Sequence, residues 1–292
     1  MGPDMGLNIS HWFDPATCTF SYLVDDEAGS CAVIDAVLGY DPVSGRTSRS
    51  GLEPMAEAVR SRGGRLQWLL ETHIHADHLS AAQVLKDRFG GRVAAGRGVY
   101  EVLAHFSRTF DWREVALTAF DHLFSDGESF SIGRLQARVF HVPGHTPADV
   151  AYLIVDPEGG PSALFVGDTL FAPDIGTARC DFPGGDAAGL YRSIRRLLAL
   201  PSDTRTYLCH DYPPSTREPR HLSTVAEQRA NNIHVRDGIA LQAFCERRRR
   251  RDAELTLPRL MLPAVQFNLM AGRAPYVGDS GVPYLRIPLD AA

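Results

Sequence analysis

The sequence has little of three things that mark common protein classes: lysine, closely spaced cysteines and long apolar runs. Its 292 residues include a single lysine, Lys86, and carry a net charge of −5. General attraction to nucleic-acid phosphates needs an excess of positive charge, so we expect no nucleic-acid partner. The five cysteines are scattered without CxxC spacing, which argues against a disulfide framework or a zinc knuckle. No apolar run approaches the roughly 18 residues of a membrane span, so we expect no membrane partner and a cytoplasmic location.

The chain does contain short apolar runs that alternate with amphipathic stretches. Turn residues and β-type composition predict strands over 19–24, 32–38 and 66–71. Helical spacing predicts helices over 52–62, 81–89 and 187–200, and a glycine pair follows each of the first two. Many short strands mixed with helices predict an α/β layered domain, with two packed sheets and helices outside them.

Metal-ligating residue types cluster where the third of these strands ends. The stretch 72–78 has the sequence THIHADH, which contains His73, His75, Asp77 and His78. Residues two apart in extended backbone face the same side, so His73 and His75 can converge on one point. Asp77 and His78 lie at the turn into the next helix and can face a neighbouring point. Imidazole and carboxylate together suit zinc, iron or manganese.

Three further polar residues have the same placement after apolar runs. His145 lies in the turn PGHTP, Asp168 lies in GDT at a strand end, and His210 follows the run TYLC. Each of them alone could be a surface residue or a helix cap. Together with the histidine-rich loop they predict a metal site.

In this order, the motifs HIHADH, GHT, GDT and CHD resemble the ligand motifs of the metallo-β-lactamase superfamily. The αββα four-layer sandwich of that superfamily agrees with the layered prediction. The resemblance implies a first metal position with the ligands His73, His75 and His145. It implies a second position with Asp77, His78 and His210, and Asp168 as the carboxylate that bridges the two. Because all seven are present, the ligands alone leave open whether one or two metals bind.

Within the superfamily, the chain resembles the persulfide dioxygenases, and in particular their longer bacterial branch. Ala76 stands where glyoxalase II enzymes usually carry a bulky aromatic residue. The stretch GTARCDF at 176–182 is similar to one that contributes an arginine in that family. Further similarity lies in HDY at 210–212, in STVAEQR at 223–229, and around 231–234 and 263–272.

This resemblance implies a mononuclear iron(II) enzyme that oxidises glutathione persulfide with O2 to sulfite and glutathione. One Fe(II) per chain would be held by His73, His145 and Asp168. Two histidines and one carboxylate leave up to three positions open, as dioxygen chemistry with a bound substrate requires. The remaining candidate ligands would then surround the iron or form a second metal site: His75, Asp77, His78 and His210.

Three residues are candidates for roles beyond metal ligation. The Arg179 guanidinium can bind a substrate carboxylate through two parallel hydrogen bonds, although a surface ion pair is the alternative. Tyr212 can donate a hydrogen bond to the peptide part of the substrate, or simply pack against a strand. Asp211 is expected to orient a neighbouring ligand.

A binuclear Zn(II) hydrolase of the glyoxalase II type is the alternative function. It would use all seven ligands and cleave a glutathione thioester with a metal-bound hydroxide. Ala76 argues against it, as does the absence of the basic C-terminal region that those enzymes use for glutathione. A metal-stabilised binding module without activity predicts that replacing His145 lowers stability and abolishes no turnover.

The remaining expectations concern the whole chain. We expect a catalytic core over 1–215 and an extension over 216–292 that packs on it within one structural domain. Cys180 is expected to be a small buried residue rather than a redox thiol. The run Arg247–Arg251 has acidic neighbours and is expected to form a solvated helix face. The apolar stretch 260–270 would extend the core or contribute to a homodimer contact.

Overall fold

The computed structural model describes residues 7–112 and 117–290. Its strands are β1 (Asn8–Asp14), β2 (Thr19–Asp25), β3 (Ser30–Ile34), β4 (Val37–Asp41), β5 (Arg46–Ser48), β6 (Arg65–Leu70), β7 (Leu79–Ser80), β8 (Arg92–Gly96), β9 (His122–Phe124), β10 (Ser129–Ile132), β11 (Leu135–His141), β12 (Val150–Val155), β13 (Ala163–Phe165), β14 (Arg205–Tyr207), β15 (Leu222–Thr224), β16 (Tyr276–Val277) and β17 (Pro283–Tyr284). Its α-helices are α1 (Glu53–Ser61), α2 (Ala82–Phe89), α3 (Val99–Thr109), α4 (Ala187–Leu197), α5 (Val225–Asn231), α6 (Leu241–Asp252) and α7 (Met261–Leu269).

Two six-stranded sheets form the centre of the fold. The first has the strand order β1-β2-β3-β6-β8-β9 and the second has the order β10-β11-β12-β13-β14-β15. In the first sheet β1, β2 and β3 are antiparallel, and β3, β6, β8 and β9 run parallel. The second sheet is antiparallel except for the parallel pair β13–β14. The parallel pairs bring several strand ends to one edge of the molecule.

The apolar residues divide into three cores that define four layers. Side chains such as Tyr22, Phe124 and Tyr152 fill the space between the two sheets. Helices α1, α2, α3 and α7 cover the outer face of the first sheet, and α4, α5 and α6 cover that of the second. This helix–sheet–sheet–helix order confirms the predicted αββα sandwich.

The observed elements differ from the prediction most clearly at Asp35. The strand predicted over 32–38 is divided into β3 and β4. Asp35 lies between them in the left-handed region, with φ at +51°, which a residue other than glycine adopts at some cost. The break turns the Asp35 side chain away from the strand direction and toward the end of β6.

The residues beyond 216 contribute to both sides of the sandwich. Strand β15 pairs with β14 at the edge of the second sheet, α6 packs on that sheet, and α7 packs on the opposite side with α1–α3. The expected boundary at 215 stays a prediction. None of the helices in the described ranges is both long and apolar enough to cross a membrane.

The run Arg247–Arg251 is only partly the solvated face that the sequence predicts. Arg247 and the last three arginines are exposed, but Arg248 is 2% exposed. The prediction is wrong at Arg248, because its guanidinium forms an ion pair with Asp252 and donates to the Thr177 carbonyl at 3.1 Å. Cys180 is buried, as expected, and its N–H donates to the same Asp252 carboxylate at 3.0 Å.

Candidate metal centre

The predicted ligands come from loops that follow β6, β11, β13 and β14, and these loops meet at one edge between the sheets. Asp168 lies in a short 3-10 turn after β13, next to Gly167. Gly167 has φ at +52°, and a Cβ there would lie 2.8 Å from the Thr72 side chain. Only glycine therefore lets this turn approach the histidine-rich loop closely enough to bring Asp168 to the other ligands.

His73, His145 and Asp168 form one group, in which one ligand atom from each lies within 4.8 Å of the others. Asp168 Oδ2 lies 3.5 Å from His145 Nε2 and 3.9 Å from His73 Nε2. All three residues are buried. Burial, together with His75 and His145, lowers the pKa of His73 well below the ordinary value, which keeps its imidazole neutral and able to bind a metal.

Hydrogen bonds fix which nitrogen of each imidazole in this group is free. Nδ1 of His145 donates to the Arg179 carbonyl at 2.8 Å. The hydroxyl of Thr72 donates to Asp35 at 2.8 Å, so it accepts the proton of His73 Nδ1 at 3.1 Å. In both histidines Nε2 is left unprotonated and faces Asp168, the arrangement that metal-binding histidines usually have.

A second group consists of His75, Asp77, His78 and His210, again within 4.8 Å of one another. His210 Nε2 lies 3.4 Å from Asp77 Oδ2 and 3.5 Å from Asp168 Oδ1, so Asp168 stands between the two groups. Nδ1 of His210 donates to the Cys18 carbonyl at 3.1 Å. The resemblance assigns His75 to the first metal position, whereas the structure places it in this second group.

His75 is held in the opposite orientation to the other histidines. Its Nε2 donates to Asp35 Oδ1 at 3.0 Å and lies 3.4 Å from Glu71 Oε2, which leaves Nδ1 for the site. Burial alone would lower the pKa of His75, but Asp35 and Glu71 outweigh it and raise the pKa well above the ordinary value, so a metal that binds Nδ1 has to displace a proton. Burial raises the pKa of Asp35, and His75 and Thr72 outweigh that effect, so the net pKa lies below the usual one.

Several buried ligand atoms in these groups have no hydrogen-bond partner within the described ranges. They are His75 Nδ1, His78 Nε2, His210 Nε2 and Asp168 Oδ1. A buried polar atom without a partner is costly, and metal ligation removes that cost. The residues therefore fit a metal ion, and the donor set of imidazole and carboxylate suits iron, zinc or manganese.

Four side chains important to the site were not predicted from the sequence. Asp35 and Glu71 hold His75, and Thr19 Oγ1 lies 3.4 Å from Asp77 Oδ2 and 3.3 Å from His210 Nδ1. Asn268 on α7 donates to the carbonyls of His75 and His78 at 2.9 and 2.8 Å. An aspartate inside the apolar run CAVIDAVL was a signal for Asp35, whereas nothing in the sequence marks Thr19 or Asn268.

The structure gives the Arg179 and Asp211 side chains partners other than the candidate ligands. The Arg179 guanidinium donates twice to Asp181, at 2.6 and 2.7 Å, and once to the Thr256 carbonyl. The Asp211 carboxylate accepts hydrogen bonds from Arg217, one at 2.9 Å, and from the Arg220 N–H at 2.6 Å. Asp211 is therefore tied to the loop that follows His210, and Arg179 contributes its carbonyl to His145.

Tyr212 lies over the second group, with 47% of its surface exposed. Its ring stacks on His210, with centroids 5.8 Å apart, and meets Phe171 edge-on. Desolvation, with Asp168 and Asp77, raises the pKa of the Tyr212 hydroxyl, which therefore stays protonated. A protonated hydroxyl at the rim of the site can donate a hydrogen bond to a bound molecule.

The sequence matches the model of the metallo-beta-lactamase superfamily over residues 18–210. It is 50% identical to a Burkholderia pseudomallei protein named "Probable metallo-hydrolase", over 98% of this chain and 100% of that one. It is 42% identical to "Glyoxylase B2" of Dictyostelium discoideum, over 92% and 91% of the two chains. Human mitochondrial persulfide dioxygenase is 30% identical, over 79% of this chain and 77% of that one.

The fold is also similar to a solved structure, the ETHE1 protein of Myxococcus xanthus. The two align with a TM-score of 0.72 and 26% identity, over 91% of this chain and all of the other. The human relative carries the same protein name, ETHE1. With the αββα layers and the ligand groups, these matches establish that the chain belongs to the metallo-beta-lactamase superfamily.

Proposed function

We propose that this protein is a persulfide dioxygenase that uses one Fe(II) per chain, held by His73, His145 and Asp168. The substrates are glutathione persulfide and O2. With one water molecule, they give glutathione, sulfite and two protons, so both oxygen atoms of O2 and that of the water end in sulfite. The human relative, which is named a persulfide dioxygenase, supports this choice of reaction.

The grouping of the ligands is the observation that carries the proposal. His73, His145 and Asp168 come together as a set of three, while His75 groups with the residues of the second position. Two histidines and one carboxylate are the ligand set of many non-heme iron(II) oxygenases. Bound there, iron(II) supplies open coordination positions for O2 and a sulfur ligand.

The residues of the chain itself orient the ligands and bind the substrate. The Arg179 carbonyl and Thr72 hold His145 and His73 with Nε2 toward the site. The protonated Tyr212 hydroxyl donates to the peptide part of glutathione persulfide. Arg179 binds a glutathione carboxylate, for which its ion pair with Asp181 has to open.

The test is O2 consumption by the iron(II)-reconstituted protein on addition of glutathione persulfide. We expect O2 uptake with stoichiometric sulfite release, and loss of both in the variants His145→Ala and Asp168→Ala. Circular dichroism checks that these variants fold, which separates an enzyme from a metal-stabilised binding module. A folded, iron-loaded wild-type protein that takes up no O2 would overturn the proposal.

A binuclear zinc hydrolase remains the second candidate, because the second ligand group is complete. Within the described ranges, His78 and His210 each have a buried Nε2 without a hydrogen-bond partner, which a second metal would use. Two relatives are named as a metallo-hydrolase and a glyoxylase. This function predicts two zinc ions per chain and hydrolysis of S-lactoylglutathione. Metal analysis and that assay on the zinc-loaded protein distinguish it from the dioxygenase.

A further inference from the structure

A small apolar cavity lies directly behind the histidine-rich loop. Its volume is about 20 Å³. The loop forms one wall, and helices α3 and α7 form the opposite wall. The side chains of these walls are those of Ile74, Ala76, Val102, Phe106, Met261 and Val265.

The lining favours an apolar guest over water. A buried water needs two to four polar partners. The one hydroxyl among the lining residues belongs to Thr146, and it donates to Asp149 at 2.7 Å. A molecule in the cavity therefore meets hydrocarbon and aromatic carbon on nearly all sides, so the cavity suits a small apolar molecule.

The cavity shares a wall with the candidate iron ligands. Ile74 lies between His73 and His75 in the chain, and Ala76 follows His75. The ring of Phe182, which also lines the cavity, lies 5.2 Å from the ring of His145. Two of the lining residues, Ala76 on the metal loop and Pro183, are half-buried, and the others are buried.

We propose that this cavity is a binding site for dioxygen, from which O2 reaches the iron. The inference rests on the proposed function, because it names the place where one of its two substrates is held. The volume is somewhat above what one water molecule needs, so the cavity admits a small molecule such as O2. Ala76 keeps the cavity open, since a large side chain at that position would fill it.

Xenon is the probe, since it occupies apolar cavities and needs no turnover to bind. Crystals or solutions of the wild-type protein under xenon pressure should contain one xenon atom at this position. Two variants fill the cavity from opposite walls, Ala76→Leu from the metal loop and Val102→Phe from α3. Ala58→Leu, on α1 in the same apolar core but outside the cavity, is the matched control.

We expect xenon in the wild type and in Ala58→Leu, and none in the two cavity-filling variants. Both of these should raise the KM for O2 at least about threefold, with iron content and the KM for glutathione persulfide unchanged. Absence of xenon from the wild type, or an unchanged KM for O2 in both filled variants, would overturn the assignment. Failure of the wild type to consume O2 would instead overturn the proposed function, and xenon binding is measured independently of it.

Discussion

At the scale of single residues, Asp35 controls the site without being one of its predicted ligands. Its two carboxylate oxygens accept from His75 Nε2 and from the Thr72 hydroxyl, which in turn accepts from His73. One buried carboxylate thereby sets the free nitrogen of a histidine in each ligand group. Residues that hydrogen-bond to a metal ligand in this way fix its orientation and raise its affinity for the metal.

The variant Asp35→Asn should weaken metal binding about 10- to 100-fold. Asparagine tolerates the left-handed backbone, so the change reports the lost carboxylate rather than a changed loop. We also expect the free energy of unfolding of the metal-free protein to fall by about 2–3 kcal/mol, since hydrogen bonds to a charged group are lost. Competition with a chromophoric chelator and urea unfolding measure the two effects.

The matched control for this variant is Asp211→Asn. Asp211 is also fully buried, but its partners are Arg217 and the Arg220 backbone. The Asp211→Asn variant should lose stability and retain the metal affinity of the wild type. A wild-type metal affinity in Asp35→Asn would mean that Asp35 acts only on stability.

The difference between Asp35 and the ligands explains what sequence reasoning could recognise. The ligands stand at strand ends in short motifs, so their type and placement are local properties. Asp35 contacts His75, 40 residues further along the chain, because of a left-handed break that the apolar run does not reveal. Such a role depends on geometry that local composition does not encode.

At the scale of elements, helix α7 connects the C-terminal part of the chain to the metal loop. Asn268 donates to the carbonyls of His75 and His78, and its Oδ1 accepts from the Ser80 N–H at 2.8 Å. The side chain is 3% exposed. The sequence predicts this stretch only as an apolar segment for the core or a dimer, since a single asparagine does not indicate its partner 190 residues away.

Replacing Asn268 by alanine should therefore affect metal binding as well as folding. We expect a loss of about 2–3 kcal/mol in unfolding free energy, because two carbonyls and one N–H are left unpaired in a buried place. The histidine-rich loop is then less ordered, and metal affinity should fall about tenfold. Isothermal titration with zinc or iron(II) measures the affinity.

Gln266→Ala on the same helix is the control for Asn268→Ala. Gln266 is also a buried amide, but it donates to the carbonyls of Leu262 and Arg286. The Gln266→Ala variant should be less stable than the wild type and should have an unchanged metal affinity. A parallel loss of affinity in both variants would indicate that α7 acts through general packing and not through Asn268.

At the scale of the whole molecule, the sequence predicts the layers but not how the C-terminal part of the chain packs on them. Alternating apolar runs and amphipathic helices indicate two sheets with outer helices, which the structure confirms. How the last 70 or so residues lie across both outer layers depends on contacts between distant parts of the chain, which no local pattern gives. The homodimer and the cytoplasmic location stay predictions.

The packing of α6 near His234 also makes the stability of the molecule depend on pH. This residue is 7% exposed, and its Nδ1 accepts from the Thr177 N–H at 3.1 Å. Burial, and then the nearby Arg248, Arg247 and Arg251, lower the pKa of His234 to about 4. Between its ordinary pKa of about 6.5 and 4, the unfolded chain therefore binds a proton that the folded chain does not.

The contribution of His234 to the free energy of unfolding is thus complete above about pH 6.5 and is lost as the pH falls toward 4. The difference in pKa corresponds to about 3 kcal/mol. In His234→Asn the Oδ1 atom can accept from Thr177 and does not titrate. Urea unfolding at pH 7 and at pH 4.5 should show that wild-type protein loses about 2 kcal/mol more than the variant, since the other titrating groups are common to both. Parallel losses in the two proteins would mean that His234 is protonated in the folded state, and that the arginines of α6 do not oppose its charge.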